Sequence, residues 1–204
     1  MIRYSEGVLR EIVAYLSWQR IPYLVHRNRG IVTFSARVKG GGELYKYYAR
    51  ISQNEICLEV AASVEVPRAE KIRLRLLKFC NEVNREDRSG GVLVLDPERG
   101  ELLCRMTVPF ALDSCGAVDR ILPVPAGMLQ FYDGAIRRLI QGTSSVAREK
   151  KELMGYPRSW KLSPLVPEGE EPPREPSAED YRTMYRQLAR EAIEQYLEEN
   201  QKKT

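Results

Sequence analysis

Three strand-like runs joined by very short connections constrain this chain most. They are Ile31-Val32-Thr33-Phe34-Ser35-Ala36-Arg37-Val38, Leu44-Tyr45-Lys46-Tyr47-Tyr48-Ala49-Arg50-Ile51 and Ile56-Cys57-Leu58-Glu59-Val60-Ala61. Only residues 39–43 and 52–55 lie between them. Parallel neighbours need a crossover of roughly a dozen residues, so such connections favour an antiparallel meander. The first turn holds Gly40, Gly41 and Gly42, which can take the positive φ that hairpin turns require. Along the middle run Tyr45 and Tyr47 share one face and Tyr48 takes the other. Aromatic residues are favoured at interfaces, so Tyr45 and Tyr47 are candidate partner-binding residues.

Helices flank these strands. Val8, Ile12, Tyr15 and Leu16 recur at helical spacing within residues 3–19, with Ser5 placed to cap and Ile21-Pro22 to end the segment. A second helix is expected to open at Pro67, carrying Ile72, Leu76, Phe79, Cys80 and Val83 as its apolar stripe. Arg68, Lys71, Arg75 and Lys78 follow at i, i+3, i+7 and i+10, a basic face able to grip phosphates. Val92-Leu93-Val94-Leu95 reads as a strand buried on both faces. Asp96-Pro97-Glu98-Arg99-Gly100 turns the chain, and 101–108 returns it. Pro123 and Pro125 mark a loop before a third helix, 126–140, with a continuation after Gly142 to about Met154. The fold class is α+β: helix, three strands, helix, two strands, helix, with an antiparallel sheet.

Charge divides the chain. Residues 1–150 hold 23 Lys/Arg against 17 Asp/Glu, a net of +6, while 151–204 hold 9 against 11, a net of −2. Between them, 157–176 carries six prolines and four glutamates, an extended linker without a core of its own. From Ser177, Tyr181, Tyr185, Leu188 and Ala192 form an apolar stripe on a last amphipathic helix, which must bury against something to be stable. Tyr181, Tyr185 and Leu188 are the second group of candidate partner-binding residues. The division is a body at 1–155, a linker at 156–176 and a terminal helix at 177–204.

The residues supply little for chemistry. Cys57, Cys80, Cys104 and Cys115 show no C-x-x-C spacing, and His26 is the only histidine, so neither a zinc site nor a metal-dependent activity is expected. No phosphate-binding loop, dinucleotide fingerprint or nucleophile elbow occurs. We therefore expect no catalytic residues and no cofactor. The start has no secretory signal and no apolar run approaches the ~20 residues of a membrane span. This favours a reduced, cytoplasmic protein, with Cys57, Cys80 and Cys104 as small buried hydrophobes.

The stretch 76–85, then Gly91-Val92-Leu93-Val94-Leu95-Asp96, then Gly100-Glu101-Leu102-Leu103-Cys104-Arg105, resembles the YbjN family of the type III secretion chaperone-like fold. There a helix ends at an Asn, and a glycine-led strand, a short Asp-to-Gly turn and a return strand follow. The resemblance covers roughly residues 3–150. It implies a small α+β module, often a homodimer, with no catalytic residues, acting as a chaperone- or adaptor-like protein-binding regulator. The partner is another protein or the chain's own C-terminal helix. The alternative function is nucleic-acid binding through the basic face of the second helix.

Overall fold

The computed structural model of the chain describes residues 4–87, 89–96, 99–109, 118–154 and 165–167. Helix α1 (Glu6–Trp18) begins where Ser5 Oγ accepts a hydrogen bond from the Val8 N–H, and it buries Leu9, Ile12 and Leu16. Its exit is a tight reversal. The Ile21 N–H reaches back to the Leu16 carbonyl at 2.8 Å and the Arg20 N–H to that of Ser17 at 3.1 Å. This is a Schellman ending, in which the residue past the cap takes a left-handed conformation and is usually glycine. Here it is Arg20, with φ 55°.

After Pro22 the chain enters a strand that the sequence reading did not anticipate, β1 (Tyr23–His26). It pairs antiparallel with β2 (Ile31–Val38), which pairs with β3 (Leu44–Ile51), which pairs with β4 (Glu55–Glu65). The meander is therefore as expected, with one strand added at its start. Of the three glycines in its first turn, only Gly40 uses a positive φ, 80°.

Helix α2 covers Glu70–Glu86. It does not open at Pro67, because Val66 is still bound to the sheet region: its N–H donates to the Gly100 carbonyl and its side chain is buried. β5 (Gly91–Asp96) and β6 (Glu101–Pro109) form the expected hairpin, and β6 inserts beside β4. The sheet order is β1-β2-β3-β4-β6-β5, antiparallel throughout. α3 (Val118–Ile121) is a single turn. α4 (Pro123–Gln141) starts three residues before the sequence suggested, because Pro123 and Pro125 fall in its first turn, where missing N–H groups cost nothing. Gly142 ends it, and α5 (Val146–Met154) is a separate helix rather than a continuation. Within the expected linker, β7 (Leu165–Val166) pairs with β2 at Arg37 and Val38, and Leu165, Val166 and Pro167 are buried. The rest of the linker and the terminal helix at 177–204 lie outside the described residues, as does Cys115.

Alternation along the strands sorts the sheet into two faces. Val32, Phe34 and Ala36 of β2, Tyr45, Tyr47 and Ala49 of β3, and Leu58 and Val60 of β4 join Leu16, Phe79, Leu129 and Tyr132 from the helices in one core. Leu93, Leu102 and Cys104 extend it across β5 and β6. The described helices thus cover a single face. This also corrects the reading of β5, which alternates instead of being buried on both faces, with Val92 44% exposed.

Side chains fasten the helices to one another. Arg138 grips the carboxylate of Glu149 with two bonds of 2.8 and 2.6 Å, and that side chain is fully buried. The guanidinium holds the Glu149 carboxyl below its ordinary range. Lys150 bridges Glu82 and Glu86 of α2, which lowers both carboxyls. Asp87 accepts a buried hydrogen bond of 2.8 Å from the Tyr132 hydroxyl.

Candidate functional site

The second face of the sheet has no helix on it among the described residues, and the strand registers define what it presents. Leu24, Thr33, Tyr48, Glu59, Arg105 and Val92 stand opposite one another in sequence, one from each of the six strands. Leu24 is 59% exposed and Tyr48 41%, so together with Val92 the line has apolar side chains at both ends and near its middle. Between them Arg105 pairs with Glu59 at 2.8 Å, a neutral bridge. The apolar side chains stand singly along this line, with Thr33 between Leu24 and Tyr48 and the Glu59–Arg105 bridge between Tyr48 and Val92.

Two shallow depressions flank this line. One, of about 450 Å³, lies over β3, β4 and β6 and includes Lys46, Tyr48, Arg50 and Glu101. The other, of about 660 Å³, lies toward the β1 margin and includes Arg20, Tyr23, Leu24, Lys46 and Pro167. Lys46 belongs to both. Arg20, Lys46 and Arg50 are exposed and form no ion pair with any described residue; Glu101 is likewise without one, so the two depressions together hold a net excess of positive charge.

The two margins of the sheet differ as well. At β5, the Asn84 side chain imitates a strand: its amide donates to the Leu93 carbonyl at 2.9 Å and its oxygen accepts from the Leu93 N–H at 2.7 Å. That explains the Asn at the end of the second helix, since it satisfies backbone groups that an edge strand leaves open. Gly91 is fixed there for another reason, because a Cβ would lie 2.8 Å from Met128 Sδ and 2.9 Å from Cys104 Sγ. At the opposite margin no described strand lies outside β1.

The sequence candidates divide on this geometry. Tyr45 and Tyr47 do share a face, but it is the covered one; they are 2% and 3% exposed. Tyr47 stacks on Phe34 with ring centroids 4.4 Å apart, and burial raises both phenols well above their ordinary range. They are core residues and offer no surface to a partner. Tyr181, Tyr185 and Leu188 lie outside the described residues. The basic face is broken. Arg68 precedes α2, and Arg75 donates to the Leu139 carbonyl at 2.6 Å, holding the end of α4; of the four, Lys71 and Lys78 remain exposed on the helix, beside the exposed Leu74 and Leu77.

Comparison with protein-family models, with curated proteins and with solved structures finds no match to this chain.

Other features are structural. Cys57, Cys80 and Cys104 are buried thiols, and burial pushes Cys80 and Cys104 up to about 12, far from the thiolate form that reacts. No group of three metal-ligating side chains occurs among the described residues. No described helix is long and apolar enough to cross a membrane. His26 closes β1 and is exposed.

Sequence reasoning missed Leu24, Lys46, Arg50 and Val92. For Lys46 and Arg50 the signal was present, since alternation puts them opposite Tyr45 and Tyr47. Leu24 had none: its strand is four residues long, and three of them are exposed.

Proposed function

We propose that this chain is a non-enzymatic protein-binding module, a chaperone- or adaptor-like regulator that holds an extended segment of another protein on the open sheet face. The observation that carries the reading is the β1 margin. Its outer edge has no strand neighbour among the described residues, while Tyr23 and Leu24 stand exposed beside Lys46. An extended segment added to an edge gains main-chain hydrogen bonds, and alternate side chains supply specificity. The cations favour a segment with acidic residues between its apolar ones. The order helix, strands, helix, hairpin, helix supports reading the fold as type III secretion chaperone-like, in its YbjN branch, and with it a homodimer in a reducing, cytoplasmic setting. No cofactor enters this reading.

The test uses the isotope-labelled full chain and synthetic peptides with alternating apolar and acidic residues. Saturable shifts confined to the amides of Tyr23–His26 and their neighbours, together with an affinity loss of tenfold or more, about 1.4 kcal/mol, in Leu24→Asp, are expected. No saturation at millimolar peptide, or binding indifferent to Leu24→Asp, overturns the reading. A sedimentation mass of one chain, 23.4 kDa, at micromolar concentration overturns the dimer.

A further inference from the structure

We infer that the open sheet face is covered in cis by the chain's own C-terminal segment, the acidic stretch from Glu168 lying over Lys46 and the apolar stripe of 181–197 lying along the line from Leu24 to Val92. The inference rests on the protein-binding reading of that face and makes the segment its resident competitor.

Four observations converge on it. Pro167, the last described residue, itself lines the depression that contains Arg20, Leu24 and Lys46. The segment is therefore tethered at the site it would occupy, and a short tether supplies an effective concentration in the millimolar range. Charge is complementary: residues 168–180 hold six Asp/Glu and one Lys/Arg, against Arg20, Lys46 and Arg50, which outnumber the one carboxylate without an ion pair in the two depressions, Glu101. Length fits. Five strand spacings of about 4.8 Å put Leu24 and Val92 about 24 Å apart. A helix from Tyr181 to Leu197 would be about 24 Å long. The connection from 168 to 181 reaches over about 45 Å when extended, more than enough to place the helix anywhere on the face. The apolar pattern matches last: Tyr181, Tyr185, Leu188 and Ala192 form one stripe, and Leu24, Tyr48 and Val92 offer one line of exposed apolar side chains. The outer side of α2, with Lys71, Lys78 and the exposed Leu74 and Leu77, is the rival bed, but α2 packs against β5, the sheet margin opposite the tether at Pro167.

The experiment is zero-length carbodiimide coupling of the full chain at micromolar concentration, with peptide mapping of an equal mixture of light and heavy isotope-labelled chains. Intrachain links from Lys46 to the carboxylates of 168–180 are expected, and Tyr185→Asp with Leu188→Asp should lower their yield several-fold. Links from that stretch to Lys71 or Lys78 would put the segment on the helix side. Links between light and heavy chains would make a second copy the occupant. Absence of any link from the stretch would leave the face uncovered. Each of the three overturns the inference. Peptide titration separates it from the reading on which it rests: displacement predicts several-fold tighter peptide binding in Leu188→Asp. Peptide binding that depends on Leu24 but ignores Leu188→Asp keeps the binding module and rejects the cis cover.

Discussion

The two faces of this sheet are built from the same strands, one residue apart, and they have opposite fates. On β3, Tyr45, Tyr47 and Ala49 are buried under helices while Lys46, Tyr48 and Arg50 meet solvent. On β4, Leu58 and Val60 are core while Glu59 between them bridges to Arg105. The covered face provides the stability. Its neighbour, freed from packing, can hold charges and exposed apolar side chains that would be costly inside. The margins repeat the contrast: β5 is closed by Asn84, and β1 is left with a short exposed strand.

The largest expected effect breaks the contrast directly. Leu58→Ala on the covered face should cost about 2–5 kcal/mol in denaturant unfolding, since it removes a fully buried side chain. Tyr48→Ala, on the adjacent strand but the open face, should cost about 1 kcal/mol or less. Similar losses from the two would mean that whatever covers the open face packs Tyr48 as tightly as the helices pack Leu58. Next comes the closed margin. Asn84→Ala orphans the Leu93 N–H and carbonyl and should cost about 1–3 kcal/mol, with more association at high concentration as the edge opens. Unchanged stability would show that Asn84 is incidental there.

A smaller, pH-dependent effect lies in the clasp behind the covered face. Arg138 depresses the Glu149 carboxyl below its ordinary 4.5. The unfolded state therefore takes up the proton first, and the stabilisation is present above about 4.5 and lost as pH falls through the lower folded value. Glu149→Gln should lower Tm by a few degrees at pH 7, and the gap to the parent should narrow in acid. A gap independent of pH would assign the loss to packing. The smallest effect is a gain. Arg20 holds φ 55° at a helix ending that favours glycine, so Arg20→Gly should add about 0.5–1 kcal/mol while removing one cation from the open face. A stabilised variant with weaker capture of acidic peptides would separate the two roles of this residue.

Much of the fold was legible because it is local. The meander, the hairpin and the helical stripes repeat at periods of two and 3.6 residues, which side-chain geometry alone imposes. The alternation of Tyr45, Tyr47 and Tyr48 was right for the same reason. Which side faced the core was not legible, because a strand's periodicity separates two faces without naming the buried one. The start of α2 was misplaced because Val66 is held by Gly100, a residue remote in sequence. The stripe of Arg68, Lys71, Arg75 and Lys78 looked uniform, yet Arg75 is claimed by the end of a helix 64 residues away.

Local pattern alone set the α+β class and the antiparallel meander. These follow from short-range geometry and composition. Folding in three dimensions decided that β6 lies between β4 and β5, that the described helices share one face, and that Leu24, Tyr48 and Val92 stand on one line. Those outcomes depend on contacts between residues far apart in the chain, and no local pattern encodes which surfaces will meet.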